Sequence, residues 1–199
     1  MRVLVFLLCF YSLHCLGQNN CAHPILEKNG DMIKNVKSDK NFILISIGNQ
    51  KLYHILNGVI ISTYEISSSE YGIGNNQGSN KTPIGLHRIR KKYGENTPEN
   101  GKMIGRIYTG KIAKIYSDLT RSKTDDVTSR ILWLEGLEKG KNRGDGIDSF
   151  KRYIYIHGTS EEGRIGIPSS HGCIRMKNKD IINLYKKLEV GTLVLILEN

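Results

Sequence analysis

Cys173, with His157 and His171, is the set of residues in this chain best suited to covalent chemistry. A thiol is a weak nucleophile until it becomes a thiolate, and an adjacent imidazole both lowers its pKa and takes its proton. Cysteine, histidine and a third group that orients the imidazole make up an acyl-transfer constellation. Gly172, beside the cysteine, lets a substrate approach the backbone, and successive N–H groups around Gly172 and Cys173 could form an oxyanion hole. The same three residues also fit a plainer reading, a small buried cysteine with structural histidines, and composition alone leaves the two readings level.

Those residues lie in RYIYIHGTSEEGRIGIPSSHGCIRM, Arg152 to Met176. On a strand, Tyr153, Tyr155 and His157 share one face while Ile154 and Ile156 share the other, so the pattern predicts a half-buried strand that delivers His157 at its end. Gly158, Gly163, Gly166 and Pro168 then break regular structure. The loop they form can return Cys173 to the neighbourhood of His157.

HGT, a short loop and SHGCIRM resemble the signature of the L,D-transpeptidase catalytic domain, the YkuD-like family: a His, a loop, then Ser/Thr-His-Gly-Cys, a hydrophobic residue and Arg or Asn. His157 and His171 stand fourteen positions apart, followed by Gly172, Cys173, Ile174 and Arg175. The resemblance implies that Cys173 is the nucleophile, that His157 is its base and that the Gly158 carbonyl orients the imidazole. It further implies that His171, Gly172, Ser170, Arg175 and Thr159 shape the oxyanion and substrate site, with Arg175 suited to a substrate carboxylate. On sequence distance alone His171 competes with His157 for the role of base.

The chain carries a net charge of +10 and four cysteines. Residues 1–17, MRVLVFLLCFYSLHCLG, have the shape of a secretory signal peptide, with cleavage expected before Gln18. The run is too short for a stable membrane span. Cleavage removes Arg2, Cys9 and Cys15, leaving +9 and the pair Cys21 and Cys173. A disulfide between these two would silence the nucleophile, so Cys173 is expected to be a free thiol. An exported basic protein points to anionic polymers of the envelope, not to nucleic acid.

Residues 18–40 read as a polar N-terminal arm and residues 41–199 as one domain. FILISIG, KLYHILN and GVIISTYEIS predict a three-stranded meander, with a tight turn at Asn57-Gly58. Residues 67–80 form a polar, glycine-rich loop without the Gly-Lys-Ser/Thr ending of a P-loop. Lys81-Thr82-Pro83-Ile84-Gly85 then enters a strand bearing His87, a histidine of structural type, and this turn also resembles the family's Thr-Pro-x-Gly. Residues 91–130 are an insertion with one strand expected around IGRIYTGKIAKIY, either a lid or a solvated loop. RILWLEG places Trp133 on a core strand. Asn178 is expected to cap a helix running to Leu188, on the spacing of Ile181, Ile182, Leu184, Tyr185 and Leu188, and TLVLILE forms a last buried strand.

The fold expected is mainly β (α+β), a small sandwich-like domain with one helix packed near the active-site loop. The resemblance implies cross-linking of peptidoglycan stem peptides through a Cys173 thioester, with no metal or organic cofactor and with sensitivity to carbapenems. A wall-anchored protein or water are alternative acceptors, the latter giving an L,D-carboxypeptidase. A rival reading from another class is a non-catalytic protein that grips envelope polymer through its basic surface, the His/Cys cluster being structural or metal-binding.

Overall fold

The computed structural model describes residues 24–28 and 41–199, so the expected signal peptide lies outside the described residues. The meander forms as expected: β1 (Asn41–Ser46), β2 (Lys51–Leu56) and β3 (Val59–Glu65) pair antiparallel in sequence. Asn57 and Gly58 both take positive φ, 52° and 80°, the turn whose twist matches that of its strands. β1 is buried on both faces, Ile43 and Ile45 facing one cluster and Phe42 and Leu44 another.

The strand order is β3-β2-β1-β10-β4-β7-β5-β6, where β4 is Gly85–Tyr93, β5 Gly101–Ile104, β6 Ile107–Ile112, β7 Val127–Gly136 and β10 Leu193–Leu197. β10 runs parallel to β1 and antiparallel to β4. From β7 the sheet branches to β8 (Tyr155–Thr159), which pairs in parallel with β9 (Ile174–Met176). Ile43 of β1 and Ile174 of β9 nevertheless share one core cluster, with Val194, Leu132 and Ile156. The sheet therefore curls upon itself. Ser67, just beyond β3, closes the curl by exchanging two 2.9 Å backbone hydrogen bonds with Arg175 of β9. The mainly β, sandwich-like fold with a helix near the site is what the sequence pattern predicted.

A short helix, α1 (Pro24–Lys28), lies within the expected polar arm, and its Ile25 is buried in the cluster of Phe42, Leu44, Tyr53, Leu195 and Leu197. The second helix, α2 (Asn178–Tyr185), stops before Leu188. The chain leaves the helix through turns in which the Lys187 N–H donates to the Leu184 carbonyl at 3.0 Å, and Lys92 Nζ donates to the Tyr185 and Leu188 carbonyls at 3.0 and 2.6 Å. Asn178 is not the expected cap. It is fully buried in the first turn, and the Glu162 carboxylate, sixteen residues upstream, accepts its backbone N–H at 2.7 Å.

The 91–130 insertion is more ordered than its composition implied. The single strand expected around IGRIYTGKIAKIY is a hairpin, β5–β6, turning at Gly105-Arg106, and β5 pairs with β7 at Lys102↔Thr128. Trp133 packs as a core residue on β7, stacked on Phe150 at 4.0 Å. Among the described residues no helix is long and apolar enough to cross a membrane.

Candidate active site

The parallel pairing of β8 with β9 builds the site. It sets His157 opposite Arg175 and Ile156 opposite Ile174, which draws Cys173, one residue before β9, alongside Tyr155. The Tyr155 N–H points at Cys173 Sγ at 3.3 Å, and Sγ faces the Tyr153 carbonyl at 3.4 Å. Among the described residues Cys173 is a free thiol, and Cys21 lies outside them. Tyr153, placed by pattern on the strand with Tyr155 and His157, instead lies before β8 with φ 57°, because its N–H closes a turn onto the Phe150 carbonyl. That turn aims its carbonyl at the thiol.

His157 is buried, and its Nδ1 lies 2.7 Å from the Gly158 carbonyl. A carbonyl only accepts, so Nδ1 carries the proton of the neutral ring and Nε2 is its basic nitrogen. Gly158 has no room for a side chain: a Cβ would sit 2.6 Å from Asn178 Oδ1 and 2.8 Å from the Thr128 carbonyl. Burial drives the His157 pKa down to about 4, against the pull of the Gly158 carbonyl and Asp125. Burial likewise pushes the Cys173 thiol up to about 11, although the Tyr155 N–H opposes it. The resting pair is therefore neutral thiol and neutral imidazole.

The returning loop is held by a clamp. Ser67, Ser68 and Ser69 are buried, although the pattern there reads only as a polar loop. The Ser68 carbonyl accepts from the N–H groups of Ser169 and Ser170 at 2.8 and 2.9 Å. Thr82 of the Thr-Pro-x-Gly turn donates its hydroxyl to the Gly172 carbonyl at 3.1 Å. Ser170 braces the loop from within, accepting the Gly172 N–H at 3.2 Å and donating to the Cys173 carbonyl at 2.6 Å. Gly172 has φ 123°, which a residue with a Cβ rarely adopts.

Cys173, His157, His171, Ser170 and Arg175 line a cavity of about 120 Å³ with Asp125, Val127 and Tyr155. Thr159 does not reach it: fully buried at the end of β8, its hydroxyl accepts the Glu161 N–H and its carbonyl accepts Asn178 Nδ2. Arg175 is buried and doubly paired, with Nη1 on Glu161 at 2.9 Å and Nη2 on Asp125 at 2.5 Å. A substrate carboxylate would have to displace one of them. Asp125 also accepts from His171 Nδ1 at 2.8 Å, and His171 Nε2 faces the Glu70 carboxylate at 4.0 Å. Burial pushes the Asp125 carboxyl up, but Arg175, His171 and His157 together hold it below its usual range. Asp125, Glu161, Asn178 and Tyr155 are the site residues that motif reading missed.

The family model of the L,D-transpeptidase catalytic domain, YkuD, matches residues 40–196. The chain belongs to that family. Similar curated proteins include the probable L,D-transpeptidase YbiS of Escherichia coli K12, 49% identical over 43 residues, which are 22% of this chain and 14% of YbiS. The putative L,D-transpeptidase YqjB of Bacillus subtilis is 46% identical over 48 residues, 24% of this chain and 27% of YqjB. The matched part thus spans about a quarter or less of those relatives. Among solved structures, the Ldtfm-avibactam carbamoyl enzyme superposes with a TM-score of 0.50 at 17% identity, covering 81% of this chain and 50% of that one, a likeness of fold.

Proposed function

We propose that this L,D-transpeptidase family member is an exported cysteine acyltransferase of peptidoglycan. The observation that carries the reading is the placement of Cys173 and His157 on one small cavity, with His157 Nδ1 fixed by the Gly158 carbonyl. Cys173 Sγ attacks the carbonyl of the third stem residue, and its proton passes to His157 Nε2. The carbonyl–nitrogen bond to the terminal D-alanine then breaks, and the imidazolium returns the proton to the departing amine. An acceptor amine, of a second stem or of a wall-attached protein, attacks the thioester and regenerates the thiol; water in its place gives a carboxypeptidase.

Because the resting pair is neutral, proton transfer must accompany attack. Backbone N–H groups at Gly172 and Cys173 are the donors assigned to the developing oxyanion in this reading, and the former would have to leave the Ser170 hydroxyl it meets at 3.2 Å. Carbapenems would acylate the same thiol, a reading supported by membership of the family.

Intact mass after incubation with a disaccharide-tetrapeptide, and separately with a carbapenem, tests this. An adduct on the wild type, D-alanine release and a fall of at least about 10³-fold in Cys173→Ala are expected. Product masses separate cross-linking from hydrolysis. Absence of adduct and release, with the thiol titrated as free, would remove the reading.

A further inference from the structure

Arg106 sits at the tip of the β5–β6 hairpin with φ 72°, following Gly105 at φ 56°. That left-handed position belongs by preference to glycine or asparagine, and a side chain held there against its backbone preference points to function. The guanidinium lies 4.7 Å from the Trp133 ring and 5.8 and 5.9 Å from those of Tyr153 and Tyr93. Its Nη1 donates to the Tyr155 hydroxyl at 3.2 Å. Tyr155 is the wall of the catalytic cavity whose backbone N–H faces the thiol.

Arg106 has no carboxylate partner among the described residues. Arg175, by contrast, which the signature offers as the carboxylate holder, already carries two. A guanidinium has five donors, and four of these have no partner among the described residues. Three aromatic rings prop the cation at the rim without neutralising it. Lys91, 5.9 Å from the Trp133 ring and likewise without a carboxylate partner among the described residues, adds positive charge to the same patch.

We infer that Arg106 forms a carboxylate-binding subsite for the acyl donor beside the Cys173 cavity, through the bidentate fork that only arginine offers. The inference rests on the acyl-donor reading above for the identity of the ligand, but its test does not require turnover. Two carboxylates of a stem peptide could fill the subsite, that of the terminal D-residue or one on the side chain of the third residue.

The test measures binding by calorimetry to the full chain carrying Cys173→Ala, with and without Arg106→Gln. The probes are a tetrapeptide with both carboxylates free, one amidated at the terminus and one amidated on the third side chain. Loss of about tenfold or more in affinity on one amidation, abolished by Arg106→Gln, is expected, and the amide that loses affinity names the source. Arg106→Lys should restore part of the preference. If Arg106 only latches the hairpin, Arg106→Gln weakens all three ligands by one factor and leaves their ratios unchanged, which overturns the inference. So does a parent protein that binds acid and amides alike, whatever the acylation experiment returns.

Discussion

The chemistry of the site turns on the surroundings of His157, which is buried, and of Cys173, which is partly exposed. With the thiol pushed up to about 11 and the imidazole down to about 4, both by burial, almost no resting thiolate exists near neutral pH. Iodoacetamide should therefore alkylate Cys173 at pH 8 roughly tenfold to a hundredfold more slowly than free cysteine, with the rate climbing beyond pH 9. A rate at or above that of free cysteine, followed by mass spectrometry, would mean a resting ion pair and contradict this account. The Cys173 and His157 pair was legible in the sequence through the resemblance of HGT and SHGCIRM to the family signature, since the residues taken alone left His171 in competition. Asp125 and Glu161 were not. Asp125 stands in a polar stretch without period, fifty residues from the Arg175 it pairs with, and only the curl of the sheet brings the two together.

At the scale of elements, one buried amide ties the site to its frame. Asn178 Oδ1 accepts the hydroxyls of Thr128 and Ser129 at 2.6 Å each, while Nδ2 donates to the Thr159 carbonyl and to Glu162 at 2.8 Å. α2, β7, β8 and the turn of 3-10 helix at Glu162–Arg164 thus meet on one side chain. Asn178→Ala leaves several buried partners unpaired and should cost about 3 kcal/mol or more in urea unfolding. Gly158→Ala pushes a methyl into the same place and should cost about 1–3 kcal/mol, with slower acylation because the carbonyl that holds His157 shifts. Unchanged urea midpoints for both variants would show that this junction is not a structural tie. The pattern did predict the strands and a helix here, since period-2 and period-3.6 spacing report which face is buried. It misjudged Asn178 because a helix cap reads identically to a buried amide until the partner strands are in place, and it missed the β5–β6 turn because Gly-Arg is a weak hairpin signal beside Asn-Gly.

Among the described residues burial lowers the pKa of three histidines, His54, His87 and His157, and it holds two of them, His157 and His87, down to about 4. His87, read from sequence as structural, lies 2.9 Å through Nδ1 from the Gly85 carbonyl and 2.9 Å through Nε2 from the Ser149 hydroxyl. The unfolded chain takes up these protons near pH 6.5 and the folded chain only near 4, so over that window the unfolded state binds more protons. Stability should then fall as pH drops from 6.5 to 4, by on the order of 3 kcal/mol per histidine, and be flat in these two groups above 6.5. Urea midpoints across pH 4–8 check the sign, and His87→Gln should remove about one proton from the slope. A midpoint that rises on acidification across that window would refute the assignment. The placement of β10 has a consequence in time. The three-stranded meander and β4 are made early, yet in the sheet β1 and β4 are joined by β10, which lies between them. Until β10 has been made, the sheet lacks the strand between β1 and β4, so the continuous sheet can form only once residue 197 has been translated.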